Sequence, residues 1–266
     1  MPLVETHAHL YSDDESRYPP APNPHRPPPG TGSIPHLQRL RQAVGVTHVV
    51  AVQTFSFYGH DNRLLLATVG AHPDWMTGVV NLPSGDPSTP RQLVRLAGPG
   101  VRGFRLEHPR GGGAFYHPGA VAVCGQALEL GLVVNIHANG TAYLPDAARL
   151  LAEFPDLPFC LDHCGYLRPG ETALTAGILE LARFPNLHAK ISFYAESGAE
   201  YVALGRQVVK SFGPDRCMWG GNFPGDLWHP RLDYAEHLAM LRDRICTSPA
   251  EREAILDTTP MRLWFP

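Results

Sequence analysis

The sequence predicts a distorted (β/α)8 TIM barrel, formed as a single domain over residues 1–266. Short apolar runs alternate with longer stretches of helical periodicity from end to end, the pattern of parallel strands joined by crossover helices. The apolar runs number eight, which is the count that closes a barrel. The length of 266 residues matches the roughly 250 that such a barrel needs.

In chain order the expected strands are 3–7, 47–52, 76–82, 101–106, 132–137, 159–163, 187–191 and 216–220. Helical periodicity runs over 33–44, 120–130, 142–154, 174–184, 201–212 and 233–242, with Ser33 and Thr141 placed as N-caps and Gly45 and Gly131 as stops. After the second strand the pattern supports only a short helix near 61–66, followed by the irregular run VGAHPDW. Residues 19–32 are too rich in proline for regular structure, since proline fixes φ and offers no amide donor. Placed after the first strand, the segment 12–32 is expected to form an active-site loop over the barrel mouth, or else a disordered surface excursion.

Composition narrows the functions. An apolar fraction of 44% with 18% charged residues is that of a chain with a substantial core. The net charge of −3, from 22 basic and 25 acidic residues with no basic block, argues against nucleic acid as a partner. The N-terminus MPLVETHAHL lacks the basic start and apolar run of a signal peptide, and no stretch approaches the roughly 18 apolar residues of a membrane span. A cytoplasmic protein acting on a small molecule is expected, with a homo-oligomer open. The five cysteines make an odd set suited to reduced thiols. Cys160 and Cys164 are spaced as a metal pair would be, yet no second pair completes a site.

The chemistry gathers at strand ends. His7 and His9 stand two apart at the end of the first strand, so strand alternation puts both imidazoles on one face. His137 ends the fifth strand and His163 the sixth. A lone strand histidine is usually a packed core residue. Four at the ends of three strands point to a functional cluster, because barrel active sites are assembled at C-terminal strand ends. Neutral imidazoles there would hold a divalent ion, which lowers the pKa of bound water toward about 7 and polarises a carbonyl.

The segments VETHAHLYSDDESRYP, VRGFRL, NIHANG, LDHCG, HAKIS and MWGGNFP, in this order along nearly the whole chain, resemble the amidohydrolase-related family. Within it they are most similar to the lactonase branch, which includes pyrone dicarboxylate lactonase and the sugar lactonases. The resemblance implies a hydrolase acting on a cyclic ester or related small carboxylated substrate. It implies His7, His9 and His137 as ligands of one zinc or manganese ion, and His163 as a catalytic residue contacting substrate or water. Some members work without metal, their histidines orienting water directly.

The departure lies at the last strand, where the family motif WGSDFP stands here as Trp219, Gly220, Gly221, Asn222, Phe223 and Pro224. The family aspartate serves as general base, and the amide of Asn222 has no basicity for that role. Asn222 is then a replacement that traps substrate, a natural residue with the base elsewhere, or the mark of a binding protein that has lost hydrolysis. Nonoxidative decarboxylation is the enzymatic rival. Glu107 is the leading alternative base, on one face with Arg105 by the period of two, or else a solvated loop carboxylate; Asp226 is a weaker candidate. Arg105, or Arg102 in its place, suits a carboxylate or lactone carbonyl through its planar fork, and a structural salt bridge explains either as well. Lys190 and Tyr166 complete the expected substrate contacts. Tyr11, Trp75, Phe193, Tyr194 and Trp228 are candidate rings for an apolar wall.

Overall fold

A computed structural model of the protein describes residues 2–108, 113–192, 198–225 and 233–266. Eight strands, β1 (Val4–Ala8), β2 (His48–Val52), β3 (Met76–Asn81), β4 (Val101–Glu107), β5 (Val133–His137), β6 (Phe159–Leu161), β7 (Leu187–Ile191) and β8 (Cys217–Trp219), lie side by side in chain order. Every consecutive pair is parallel. The two outer strands meet where Ala8 bridges Phe223 and Thr6 Oγ1 donates to the Trp219 carbonyl at 2.6 Å. The sheet is therefore a nearly closed barrel, as the eight apolar runs predict.

Around it run α1 (Ile34–Val44), α2 (Phe55–Tyr58), α3 (Arg63–Ala71), α4 (Thr89–Leu96), α5 (Pro118–Glu129), α6 (Leu144–Glu153), α7 (Thr172–Leu181), α8 (Ala199–Phe212), α9 (Tyr234–Ala239), α10 (Pro249–Glu253) and α11 (Thr259–Trp264). Ser33 caps α1 by accepting from the His36 amide, and Gly45 ends it in the left-handed conformation at φ 82°. Asp233 and Glu236 form a reciprocal capping box on α9. Thr141 does not cap α6: Tyr143 holds that position, and Thr141 gives only its carbonyl, to the Leu144 amide. α3 also runs through residues 69–71, expected to be irregular, because burying Val69 at 1% exposure outweighs the cost of Gly70. The expected elements do not include α2, α4, α10 and α11, of four, eight, five and six residues, too short for periodicity to stand out.

Two apolar layers flank the sheet. One packs the strands against the helices. The other fills the barrel with Val50, Val52, Val79, Val133, Cys160 and Met218 around Trp264, which is fully buried and plugs the end where the strands begin. Residue 103 must be glycine for this plug to seat, since a Cβ there would lie 2.9 Å from the Trp264 ring. The Pro-rich segment forms no helix or strand and is tied to α2 by Ala21 N–H to the Phe57 carbonyl at 2.7 Å and His25 N–H to the Ser56 carbonyl at 2.9 Å. Among the described residues no helix is long and apolar enough to cross a membrane.

His188 on β7 is 8% exposed, and burial lowers its pKa from 6.5 to about 4. The unfolded chain takes up this proton near 6.5 and the folded chain only near 4, so stability present above 6.5 is lost as pH falls through that window. At 1.36 kcal/mol per pKa unit the loss is roughly 3 kcal/mol. Urea unfolding of His188→Gln between pH 7 and 4 is expected to show an acid-side decline shallower by about that amount.

Candidate active site

The site begins with an irregularity in β1. Glu5 pairs with Val49 and Ala8 with Ala51, so β1 spends three steps where β2 spends two. This bulge breaks strict alternation. Glu5 turns toward α9, where Tyr234 Oη donates to it at 2.5 Å, while His7 and His9 turn into the barrel mouth. Their Nε2 atoms meet at 3.3 Å, and His9 Nδ1 lies 3.0 Å from the Val52 carbonyl.

A second irregularity follows β6, which ends at Leu161, short of the expected 163. His163, Cys164, Gly165 and Tyr166 then adopt φ of 54, 49, 66 and 63°, one turn of left-handed backbone. For the three with side chains this costs roughly 1–2 kcal/mol each. Gly165 is required there: a Cβ would stand 2.6 Å from Tyr143 Oη and 2.7 Å from Ile178 Cδ1. The turn directs consecutive residues, Asp162 and His163, to the same interior, which a strand would forbid.

Asp162 is the hub. Fully buried, its Oδ1 lies 3.1 Å from Lys190 Nζ and 3.4 Å from His7 Nδ1 and accepts from Asn135 Nδ2 at 3.0 Å, while Oδ2 lies 3.6 Å from Arg105 Nε. Burial pushes the carboxyl up, but Lys190 and His7 outweigh it and hold Asp162 well below the usual carboxylate range. Lys190 is itself fully buried, with Nζ over the Trp264 ring at 5.2 Å. It is thus an interior cation between the apolar plug and the histidines, not the substrate contact expected of it.

Arg105 is likewise turned inward, 4% exposed, and spent on Asp162, on Glu107 at 3.6 Å, and on His137. Its Nη2 donates to His137 Nδ1. A guanidinium can only donate, so the His137 proton sits on Nε2 and goes to Tyr166 Oη, 2.8 Å away. Asp162, 3.6 Å from His137 Nδ1, is too distant to set that tautomer. The Tyr166 hydroxyl proton is not used in this bond. Glu107, His108, His137, Ala138, Asn139 and Tyr166 line a cavity of about 180 Å³. Glu107 and His108 also line a neighbouring cavity of about 450 Å³ with His60, Ser84 and His117, and Asn139 and Tyr166 one of about 530 Å³ with Arg168. Together they make a trench across the mouth.

His163 completes the cluster, its ring 4.4 Å from that of His7 and 5.9 Å from that of His137, with Nδ1 3.0 Å from Ser192 Oγ. Burial lowers the pKa of all four imidazoles, His7 to about 3 and His9 and His163 well below the usual value, so the rings are neutral near pH 7. In the neutral state His9 must donate Nδ1–H to Val52, which leaves its Nε2 lone pair facing His7. A separation of 3.3 Å is that of two ligands on a tetrahedral ion about 2.0–2.1 Å from each nitrogen. His7 and His9 therefore suit two positions of a metal site. The two nitrogens of His137, the third expected ligand, here face Arg105 Nη2 and Tyr166 Oη. Among the described residues no group of three or more His, Cys, Asp or Glu side chains is arranged to hold an ion.

Of the other expected residues, Asn222 lies just past β8, 1% exposed, in the left-handed conformation at φ 54° that asparagine tolerates. Cys160 lies in the barrel interior beside Met218, and Cys164 donates to the Lys190 carbonyl at 3.1 Å, so they are core thiols and not a metal pair. Trp75 stacks under Arg41 at 3.8 Å and Tyr11 packs on Phe57, both away from the trench. Phe193, Tyr194, Asp226 and Trp228 lie outside the described residues. Sequence reasoning missed Asp162, Asn135, Ser192 and His60, and gave no role to His108 and His117, loop histidines without a periodic signal. Asp162 was signalled only by its place beside His163 in LDHCG.

The profile of the Amidohydrolase family matches residues 4–265. The chain belongs to this family. It is 27% identical to a 2-pyrone-4,6-dicarbaxylate hydrolase of Comamonas testosteroni, over 99% of this chain and 90% of that protein. It is 26% identical to a D-galactarolactone isomerase of Agrobacterium fabrum, over 83% and 76%. Among solved structures, a probable 2-pyrone-4,6-dicarboxylic acid hydrolase of Acinetobacter baumannii with bound citric acid shares the fold at a TM-score of 0.80 and 20% identity, covering 99% of each chain. A zinc-bound amidohydrolase of Burkholderia multivorans does so at 0.77 and 20%, also over 99% of each. A 5-carboxyvanillate decarboxylase of Sphingomonas paucimobilis has a TM-score of 0.71 at 19% identity, over 99% and 98%. The family and the named hydrolases among the relatives make this amidohydrolase a hydrolase.

Two outcomes follow from the geometry. Lys190→Met leaves Asp162 with a lost partner in the dry interior, and denaturant unfolding is expected to show a loss of roughly 3–5 kcal/mol. Elemental analysis after chelator treatment and desalting is expected to find well under one equivalent of zinc, since two histidines hold an ion weakly. A full equivalent that persists, and is lost in His9→Ala, would show that a third ligand joins the pair.

Proposed function

We propose that this amidohydrolase opens a cyclic ester, a lactone, by attack of water at the trench beside His137. The observation that carries the reading is the meeting of Glu107, His137 and Tyr166 in one cavity above a floor of neutral imidazoles. Glu107 is the carboxylate of that cavity, its side chain 15% exposed, whereas Asn222 cannot take a proton and Asp162 is sealed beneath. The lactone-related names of the two sequence relatives agree with this choice.

Glu107 takes a proton from water as its oxygen attacks the lactone carbonyl carbon. The negative charge that develops on the carbonyl oxygen is met by the hydroxyl of Tyr166, oriented by His137 and through it by Arg105. When the tetrahedral intermediate collapses, the bond from the carbonyl carbon to the ring oxygen breaks, and Glu107 returns the proton to that oxygen. The product is an open hydroxy acid. His163, 1% exposed, packs against His7 and Tyr166 from behind and keeps their rings in register. The steps use only the chain's own groups. A divalent ion, as in the zinc-bound relative, would find two ligands in His7 and His9. The segment 12–32, anchored to α2, walls the β1 side of the mouth in this reading.

The test is an assay of lactone opening with 2-pyrone-4,6-dicarboxylate and with D-galactarolactone, run on the unaltered chain, Glu107→Gln and Asn222→Asp. The expected result is turnover by the unaltered chain and a fall in kcat of roughly 100-fold or more in Glu107→Gln, the range for loss of a general base. Turnover confined to Asn222→Asp would overturn the assignment and identify Asn222 as a disabled base. Release of carbon dioxide from a carboxylated probe without ring opening would favour decarboxylation.

A further inference from the structure

The seam between β8 and β1 differs from the other seven. Those are hydrogen-bonded ladders. Here a single backbone bridge, Ala8 to Phe223, joins the strands, and beside it lies the carboxylate of Glu5, with no exposed surface. Its Oε1 accepts from the His7 amide at 2.7 Å and the Gly221 amide at 2.8 Å. Its Oε2 accepts from the Gly221 amide at 2.9 Å and from Tyr234 Oη at 2.5 Å. Residue 221 has to be glycine for this approach, because a Cβ there would stand 2.4 Å from Oε2 and 2.4 Å from the Tyr234 ring.

We propose that Glu5 is a positioning residue: through its two oxygens it sets His7, on the bulged strand, against the 221–223 segment that carries Asn222. The bulge that turns His7 inward takes its amide out of register with β2, and Glu5 receives that amide instead. His9 hangs on the same segment by donating its N–H to the Phe223 carbonyl at 2.7 Å. Both β1 histidines are thus fixed to one short stretch of β8 exit, His9 by backbone and His7 by way of Glu5. Tyr234 on α9 fastens the carboxylate from the helical side. Glu5 touches no reacting atom in this scheme and acts only through what it holds.

The proposal rests on the lactone reading for its kinetic readout alone, so a spectroscopic readout is paired with it. Long-range proton–nitrogen spectra of the chain labelled with ¹⁵N-histidine report the tautomer and hydrogen bonding of each ring, with His7 and His9 assigned by substitution and His48 and His188 as bystanders. In E5A the ring-nitrogen signals of His7 and His9 are expected to move and the bystanders to stay. With either lactone that proves to be a substrate, kcat is expected to fall roughly 100-fold, the cost of a small misplacement passed from His7 through the His163 ring packed on it to Tyr166, with KM within about threefold. E5Q is expected to stay near the parent: its amide oxygen still accepts from His7 and Gly221, and its NH₂ donates to the Tyr234 oxygen. Adding Y234F to E5Q removes that acceptor and is expected to move the two histidine signals again. Unmoved His7 and His9 signals in a folded E5A would overturn the proposal. If E5A does not fold, the shape-preserving pair E5Q and E5Q/Y234F decides, and identical histidine signals in the two would overturn it equally. If neither lactone is opened, the function proposed above is at fault, and the spectra still judge Glu5.

Discussion

The buried ion pair of Asp162 and Lys190 is the interaction on which the mouth of this barrel depends. Removing two charges from water costs several kcal/mol per ion, and a pair repays this only when its remaining hydrogen-bonding positions are filled. Here one oxygen is filled, with Asn135 and His7 beside Lys190, while Arg105 and His137 stand 3.6 Å from the other, as neighbouring charge and dipole and not as hydrogen-bond donors. Each partner is then constrained in turn. Arg105, held near Asp162, fixes the His137 tautomer, and His137 turns its Nε2–H to Tyr166. A charge that no solvent reaches thereby sets the orientation of a hydroxyl that solvent does reach.

This hub is available only because two strands depart from regularity. A regular β1 would place Glu5 with His7 and His9 and bring a third titratable group into the mouth. The bulge sends it to the seam, where it joins β1 to β8. A regular continuation of β6 would send Asp162 and His163 to opposite faces. The left-handed turn collects both, at a cost in backbone strain that packing around Gly165, Tyr143 and Ile178 holds in place. Bulges and strained turns concentrate where side chains must be re-aimed, and both of these lie at C-terminal strand ends, the face on which barrel enzymes build their sites.

The four histidines of the mouth are held in different ways. Four neutral imidazoles are present, but the structure commits one to Arg105 and Tyr166 and draws only two toward a common point. The cationic character of the interior comes instead from Arg105 and Lys190. Fold and family alone do not choose among lactone opening, related hydrolysis and decarboxylation, since neighbours with each name share this architecture. The choice rests on Glu107 standing in the cavity with His137 and Tyr166.

By itself the sequence determined the eight strands, their parallel order, most of the helices and the strand-end histidines, because periodicity and end signals are local properties of the chain. It also brought Glu107 and Arg105 to one face, as two residues apart on a regular strand must be. Tertiary structure alone decided that Arg105 and Lys190 serve Asp162 and not the trench, that His137 lies between Arg105 and Tyr166, and that Asp162 is the centre. A charge buried at one strand end is explained by partners on other strands, and those lie 27 to 155 residues away along the chain, from Asn135 to His7. Alternation cannot foresee a bulge or a left-handed turn either, since both are sustained by packing from helices remote in sequence. What the tertiary structure adds is therefore the partner of each polar side chain, and with it the role.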